Sequence, residues 1–75
     1  MIDIKMSEML ANQYFLVRRF SEAEKVYEKI VSTDSSNKSA KKKLIICYIN
    51  NNNVRKALDL FYKVISEDIT IITNT

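Results

Sequence analysis

Residues 23–34 read Ala-Glu-Lys-Val-Tyr-Glu-Lys-Ile-Val-Ser-Thr-Asp, and residues 57–68 read Ala-Leu-Asp-Leu-Phe-Tyr-Lys-Val-Ile-Ser-Glu-Asp. The stretches lie 34 residues apart. Ala23 returns as Ala57, Lys29 as Lys63, Ser32 as Ser66 and Asp34 as Asp68. Val26 pairs with Leu60, Tyr27 with Phe61, Ile30 with Val64 and Val31 with Ile65. Upstream the same offset aligns Leu10 with Leu44, Tyr14 with Tyr48 and Phe20 with Val54, so the register runs over about 25 residues without a gap. Within each stretch the apolar residues fall at i, i+3, i+4, i+7 and i+8, one stripe of a helix. Self-similarity at this period marks stacked helical repeats.

Each half divides into two helices. Met6, Leu10, Tyr14 and Val17 share a face of the first. Ser21 followed by Glu24 has the form of a capping box for the second, with Phe20 placed as a hydrophobic staple. Asn52 or Asn53 can cap the fourth, where Val54 takes the place of Phe20. The third contains Lys41-Lys42-Lys43-Leu44-Ile45-Ile46-Cys47-Tyr48-Ile49, a β-branched run that also suits a buried strand. A lone strand has no partner here, and the repeat maps this run onto a helical segment. The expected helices are about 3–18, 21–33, 38–51 and 53–67. They are joined at Arg19-Phe20, Thr33 to Asn37, and Asn51 to Asn53. The tail from Asp68 to Thr75 is left unassigned.

Composition agrees. The 75 residues are 28% charged and 47% hydrophobic, the globular range, and amount to one small domain or a piece of one. No Gly, Pro or His occurs, and Cys47 is alone. Tight hairpins want Gly or Pro, so the class is all-α. Phosphate loops need Gly, a Ser-His-Asp triad needs His, and a zinc site needs clustered Cys and His. No catalytic, cofactor-binding or metal-binding residue is assigned, and an enzyme is not expected. One Cys forbids an internal disulfide. The first residues lack a cationic stretch followed by an apolar core, and the longest apolar run, Leu44 to Ile49, is far short of a membrane span. A soluble, cytoplasmic protein is the expectation. Net charge is +3, a mild excess that does not suggest a nucleic-acid binder.

Two helix pairs at this period resemble the tetratricopeptide repeat family. Its pattern is supplied by Leu10, Tyr14, Ala23 and Tyr27, and again by Leu44, Tyr48, Ala57 and Phe61. Ser7 and Lys41 stand where Trp is common, Ala11 and Ile45 where Gly is common, and Ser35 and Ile69 where Pro is common. The resemblance implies one domain over 1–75, a short right-handed stack of antiparallel pairs. Repeat one spans about 4–37, repeat two about 38–71, and the tail 68–75. Ala23 and Ala57 would mark close helix crossings, and the bulk of Ile45 would make the second pair pack atypically.

In the family, the inner face of each upstream helix lines a concave groove for a peptide or partner helix. By register the groove would be Asn12, Phe15, Leu16, Lys42, Ile46, Ile49 and Asn50, beside Lys5, Glu8 and Ser39. Glu8 stands where a carboxylate-gripping variant needs Lys, so that grip is not expected, although Asn12 fits. Phe15, Ile46 and Ile49 make the groove apolar, suited to an amphipathic helix, unless Phe15 and Ile49 are core. Lys38, Lys41, Lys42 and Lys43 are either a patch for an anionic partner or a solvated helix start. Cys47 reads as a small buried hydrophobe.

The reading is a protein-interaction module: adaptor, scaffold or assembly subunit. The alternatives are a structural subunit permanently covered in a larger complex, and, less favoured, an RNA or anionic-lipid binder using the lysines. Val54, Leu58, Phe61 and Ile65 cannot all be covered by one preceding pair, and Ile69, Ile71 and Ile72 add apolar surface. The expected partner is a protein or peptide, met as a self-dimer or hetero-complex.

Overall fold

A computed structural model describes residues 4–73 and the side chains of residues 5–67. The stripes read from the sequence become four helices: α1 (Ile4–Leu16), α2 (Phe20–Thr33), α3 (Lys38–Asn50) and α4 (Val54–Thr73). Among the described residues there is no strand. The β-branched run is helical within α3, where Leu44, Cys47 and Tyr48 are buried while Ile46 and Ile49 remain exposed. The backbone of residues 68–73 continues α4, so the tail begins as helix. Ile69, Ile71 and Ile72 lie outside the residues whose side chains are described.

Each helix packs on the next, and α3 also reaches α1. The core accordingly sits around α2 and α3: Ala11, Ala23, Tyr27, Ile30, Ala40, Leu44, Cys47, Tyr48 and Ala57. Ala11 and Ala23 are completely buried. Phe15 and Phe20 meet edge to face at 5.7 Å, and Phe15 meets Tyr27 the same way at 6.3 Å.

The two inter-helix turns that open each second helix have one geometry. At the end of α1, Arg18 takes φ 63°, its N–H donates to Phe15 O at 3.1 Å, and Arg19 N–H donates to Tyr14 O at 2.8 Å. At the end of α3, Asn52 takes φ 63°, its N–H donates to Ile49 O at 3.2 Å, and Asn53 N–H donates to Tyr48 O at 2.7 Å. Each is a Schellman motif, and the residues correspond at the 34-residue offset. Glycine ordinarily fills the left-handed position. Asn52 tolerates it through its short polar side chain, while Arg18 carries a strain of about 1–2 kcal/mol. The sequence repeat is therefore also a repeat of backbone conformation.

One local expectation is corrected. No capping box forms at Ser21 and Glu24: α2 begins at Phe20, Arg19 is its N-cap, and no side chain caps it. The Glu24 carboxylate is engaged elsewhere, accepting from Asn51 Nδ2 at 2.9 Å and Asn53 Nδ2 at 3.4 Å. It clips the α3–α4 turn onto α2. Asn37 does cap α3, accepting from Ala40 N–H at 3.0 Å.

Register alone makes Ala23 and Ala57 equivalent, but their surroundings differ: Ala23 lies under α3, whereas Ala57 borders open space. Ala23→Leu should overpack and destabilise by about 1–3 kcal/mol. Ala57→Leu should cost clearly less, because its side chain can extend outward. Melting temperatures of the two variants check this, and equal losses would contradict it.

Candidate functional site

Between α3 and α4 lies a slot of about 310 Å³ lined by Ile45, Ile49, Val54, Ala57, Leu58 and Phe61. All six side chains are apolar. Four of them, Ile49, Val54, Leu58 and Phe61, are exposed, and Tyr62 and Ile46 extend the apolar surface nearby. The expectation that Val54, Leu58 and Phe61 lack cover matches their exposure; Ile65 is half-buried.

The same positions in the first pair are closed. The register partners of the slot residues are Ala11, Phe15, Phe20, Ala23, Glu24 and Tyr27. Of these, Ala11, Ala23 and Tyr27 are buried in one cluster with Ala40, Leu44 and Cys47 of α3, and Phe15 and Phe20 pack against it. Tyr27 is 0% exposed and Phe61 48% exposed, although they are equivalent in register. The slot is thus the site that α3 fills in the first pair, left open in the second.

The groove expected on the inner faces of α1 and α3 is only partly available. Leu16, Lys42, Ile46, Ile49 and Asn50 are exposed, and Asn50 Nδ2 donates to Ile46 O at 2.9 Å. Phe15 is half-buried in the aromatic cluster, because its ring is held between Phe20 and Tyr27. Asn12 is occupied: its Oδ1 accepts from the Tyr27 hydroxyl and from Lys43 Nζ, the latter at 3.0 Å. Ile49 belongs to the slot rather than to a separate groove.

The four lysines do not form one patch. Lys41 is buried, its Nζ donating to both oxygens of Glu67 at 3.1 and 3.2 Å and so tying α3 to the outer part of α4. Lys43 reaches toward α1, while Lys38 and Lys42 are exposed. A second cleft, of about 370 Å³, lies between α2 and α4 over Leu44 and Tyr48. Its rim carries both signs of charge, with Lys56 Nζ 4.0 Å from Glu28. Among the described residues no group of three or more His, Cys, Asp or Glu is placed to hold a metal ion. No helix among them is long and apolar enough to cross a membrane.

No family model, curated protein or solved structure matches the chain.

Polar contacts mark the edges of the filled site. The Tyr48 hydroxyl donates to Glu28 at 2.7 Å, and Asn51 Nδ2 donates to Phe20 O at 3.1 Å. Burial pushes the Cys47 thiol up to about 11 and the Tyr27 hydroxyl up to about 12. Burial, then the hydrogen bond to Glu28, pushes Tyr48 well above the ordinary tyrosine range. The unfolded chain releases these protons near 9.0 for the thiol and 10.0 for the phenols. The folded state holds them longer, so its stability is full below the unfolded values and falls as pH rises toward the folded ones. The urea midpoint should therefore drop between about pH 8.5 and about pH 10.5. Tyr48→Phe, which cannot ionise, should be less stable at neutral pH but show a shallower alkaline drop. A midpoint constant across this range would contradict the assignment.

Proposed function

We propose that this chain is a protein-interaction module of tetratricopeptide-like build, whose slot between α3 and α4 receives an apolar helical face of a partner protein. The observation that carries the reading is the wholly apolar lining of that slot, beside an equivalent site in the same chain that a helix fills. A helix seated in an apolar groove derives its affinity from side chains spaced a turn apart entering the groove. The duplicated Schellman turns and the 34-residue register support the family resemblance, since both helix pairs are then one unit repeated.

A binding role fits the chemistry better than a catalytic one. The buried phenol and thiol groups of Tyr27, Tyr48 and Cys47 keep their protons at neutral pH and lie in the packed core instead of lining the slot. The exposed apolar side chains at the opposite end, Met6, Met9 and Val17, favour a chain that works within an assembly. The lysines favour an anionic partner less, because Lys41 is spent on Glu67 and Lys43 on Asn12.

A photo-crosslinking residue placed at Leu58 in the slot, and in a separate variant at the exposed Lys29 on α2, tests the proposal in cell extract. The slot position should give discrete protein adducts that the α2 position lacks. Absence of adducts at position 58, or the same adducts at both positions, would overturn it.

A further inference from the structure

The slot has a counterpart at the other end of the molecule. α1 and α3 are equivalent in register, yet Met6 is 69% exposed where Ala40 is 1% exposed, and Leu10 is 47% exposed where Leu44 is 2% exposed. α3 is covered because it sits on the α1–α2 pair, and among the described residues no helix pair lies on the corresponding side of α1. The chain consequently exposes both halves of its own internal interface: the helix that enters and the slot that receives.

The edge residues show whether these halves match each other. At the internal interface Lys43 donates to Asn12. Displaced by one repeat on each side, that pair becomes Met9 with Ile46. Asn51 donates to Glu24 internally, and the displaced pair is Val17 with Leu58. Tyr48 donates to Glu28 internally, and the displaced pair is Tyr14 with Tyr62. Two polar pairs thus become apolar pairs with both members changed together, and the third becomes an aromatic pair. Had one member alone changed, a buried polar group would be left without a partner, an outcome that costs about 1–3 kcal/mol. Met9, Val17, Ile46 and Leu58 are exposed in the single chain.

We propose that copies of this chain stack head to tail, α1 of one copy seated in the α3–α4 slot of the next as α3 is seated on the α1–α2 pair. This deepens the slot reading and rests on it, naming the occupant as a second copy. The contact is heterologous: different surfaces meet, so a dimer retains one free end of each kind and further copies can add. Two positions oppose the contact. Asn53 donates to Glu24 internally at 3.4 Å, and the displaced pair is Arg19 with Leu58, a cation against an apolar side chain. Gln13 stands where Cys47 is buried, bringing an amide against the apolar slot. Its desolvation makes the stacking weaker than the internal interface and reversible.

The test uses the purified 75-residue chain in sedimentation velocity over a concentration series, with helical content checked by circular dichroism. Met9→Lys blocks the head and Leu58→Glu blocks the slot. Each introduces the residue that the other repeat carries at that register, so each is compatible with the fold. Wild-type mass should rise progressively with concentration beyond a dimer. Each variant alone should associate at least tenfold more weakly. A mixture of the two should form a one-to-one heterodimer that grows no further, from the intact head of one and the intact slot of the other. The double variant Met9→Lys/Ile46→Asn rebuilds the internal Lys–Asn pair across copies and should recover association relative to Met9→Lys, while Gln13→Leu should tighten it.

A wild-type monomer at all concentrations, a dimer that grows no further, or failure of the two variants to pair would overturn head-to-tail stacking. Those outcomes leave the slot reading to its own readout. Adducts at position 58 with a different protein would keep that reading and replace the second copy as occupant.

Discussion

The seating of α3 against the α1–α2 pair is the interaction on which everything else rests. It closes Tyr27 and Cys47 from solvent and brings Ala23, Leu44 and Ala40 into the same cluster. Full burial of a side chain the size of Leu contributes about 1.5–3 kcal/mol, and a chain this short has few such side chains. The polar edge then fixes the pose: Asn12 joins Tyr27 to Lys43, Glu24 clips Asn51, and Glu28 receives Tyr48. Hydrophobic burial supplies most of the free energy, and these directional bonds select one register among the ways two helical surfaces can slide.

The same construction explains why α4 is held differently. Among the described residues no further helix seals its inner side, and its attachment to α3 relies on Leu60, Ala57 and the ion pair from buried Lys41 to Glu67. A buried ammonium is costly unless paired, so this contact constrains where the outer part of α4 lies more than it adds net stability. α4 leaves its apolar side toward Ile45 and Ile49 open, with Phe61 and Leu58 presented at the surface.

The helices were legible because their apolar stripes are strongly periodic, and the boundaries read from residue type fall within a few positions of those observed at residues 20, 33, 38 and 54. The extension of α4 to Thr73 was not, since its threonines and isoleucines fit strand or coil equally well. The capping box at Ser21 failed for a reason that local sequence does not contain: Glu24 is drawn to Asn51 and Asn53, a repeat away. Likewise Lys41 reads as part of a basic run, and only the fold of α4 supplies Glu67. Phe15 and Asn12 were placed on a free inner face, but the first pair uses both internally. The uncovered stripe of Val54, Leu58 and Phe61 could be read from spacing, whereas its equivalence to the site filled by α3 required the packing.

Under the proposed head-to-tail stacking, the two ends of the molecule meet as the two halves of one repeated interface. Intermolecular nuclear Overhauser contacts measure this most directly, in a mixture where one population carries labelled methionine methyls and the other labelled isoleucine methyls. Head-to-tail stacking predicts a contact from Met9 of one copy to Ile46 of another, strengthening with concentration. Met9 contacting Met9, or no contact between copies at concentrations where association is measured, would contradict it.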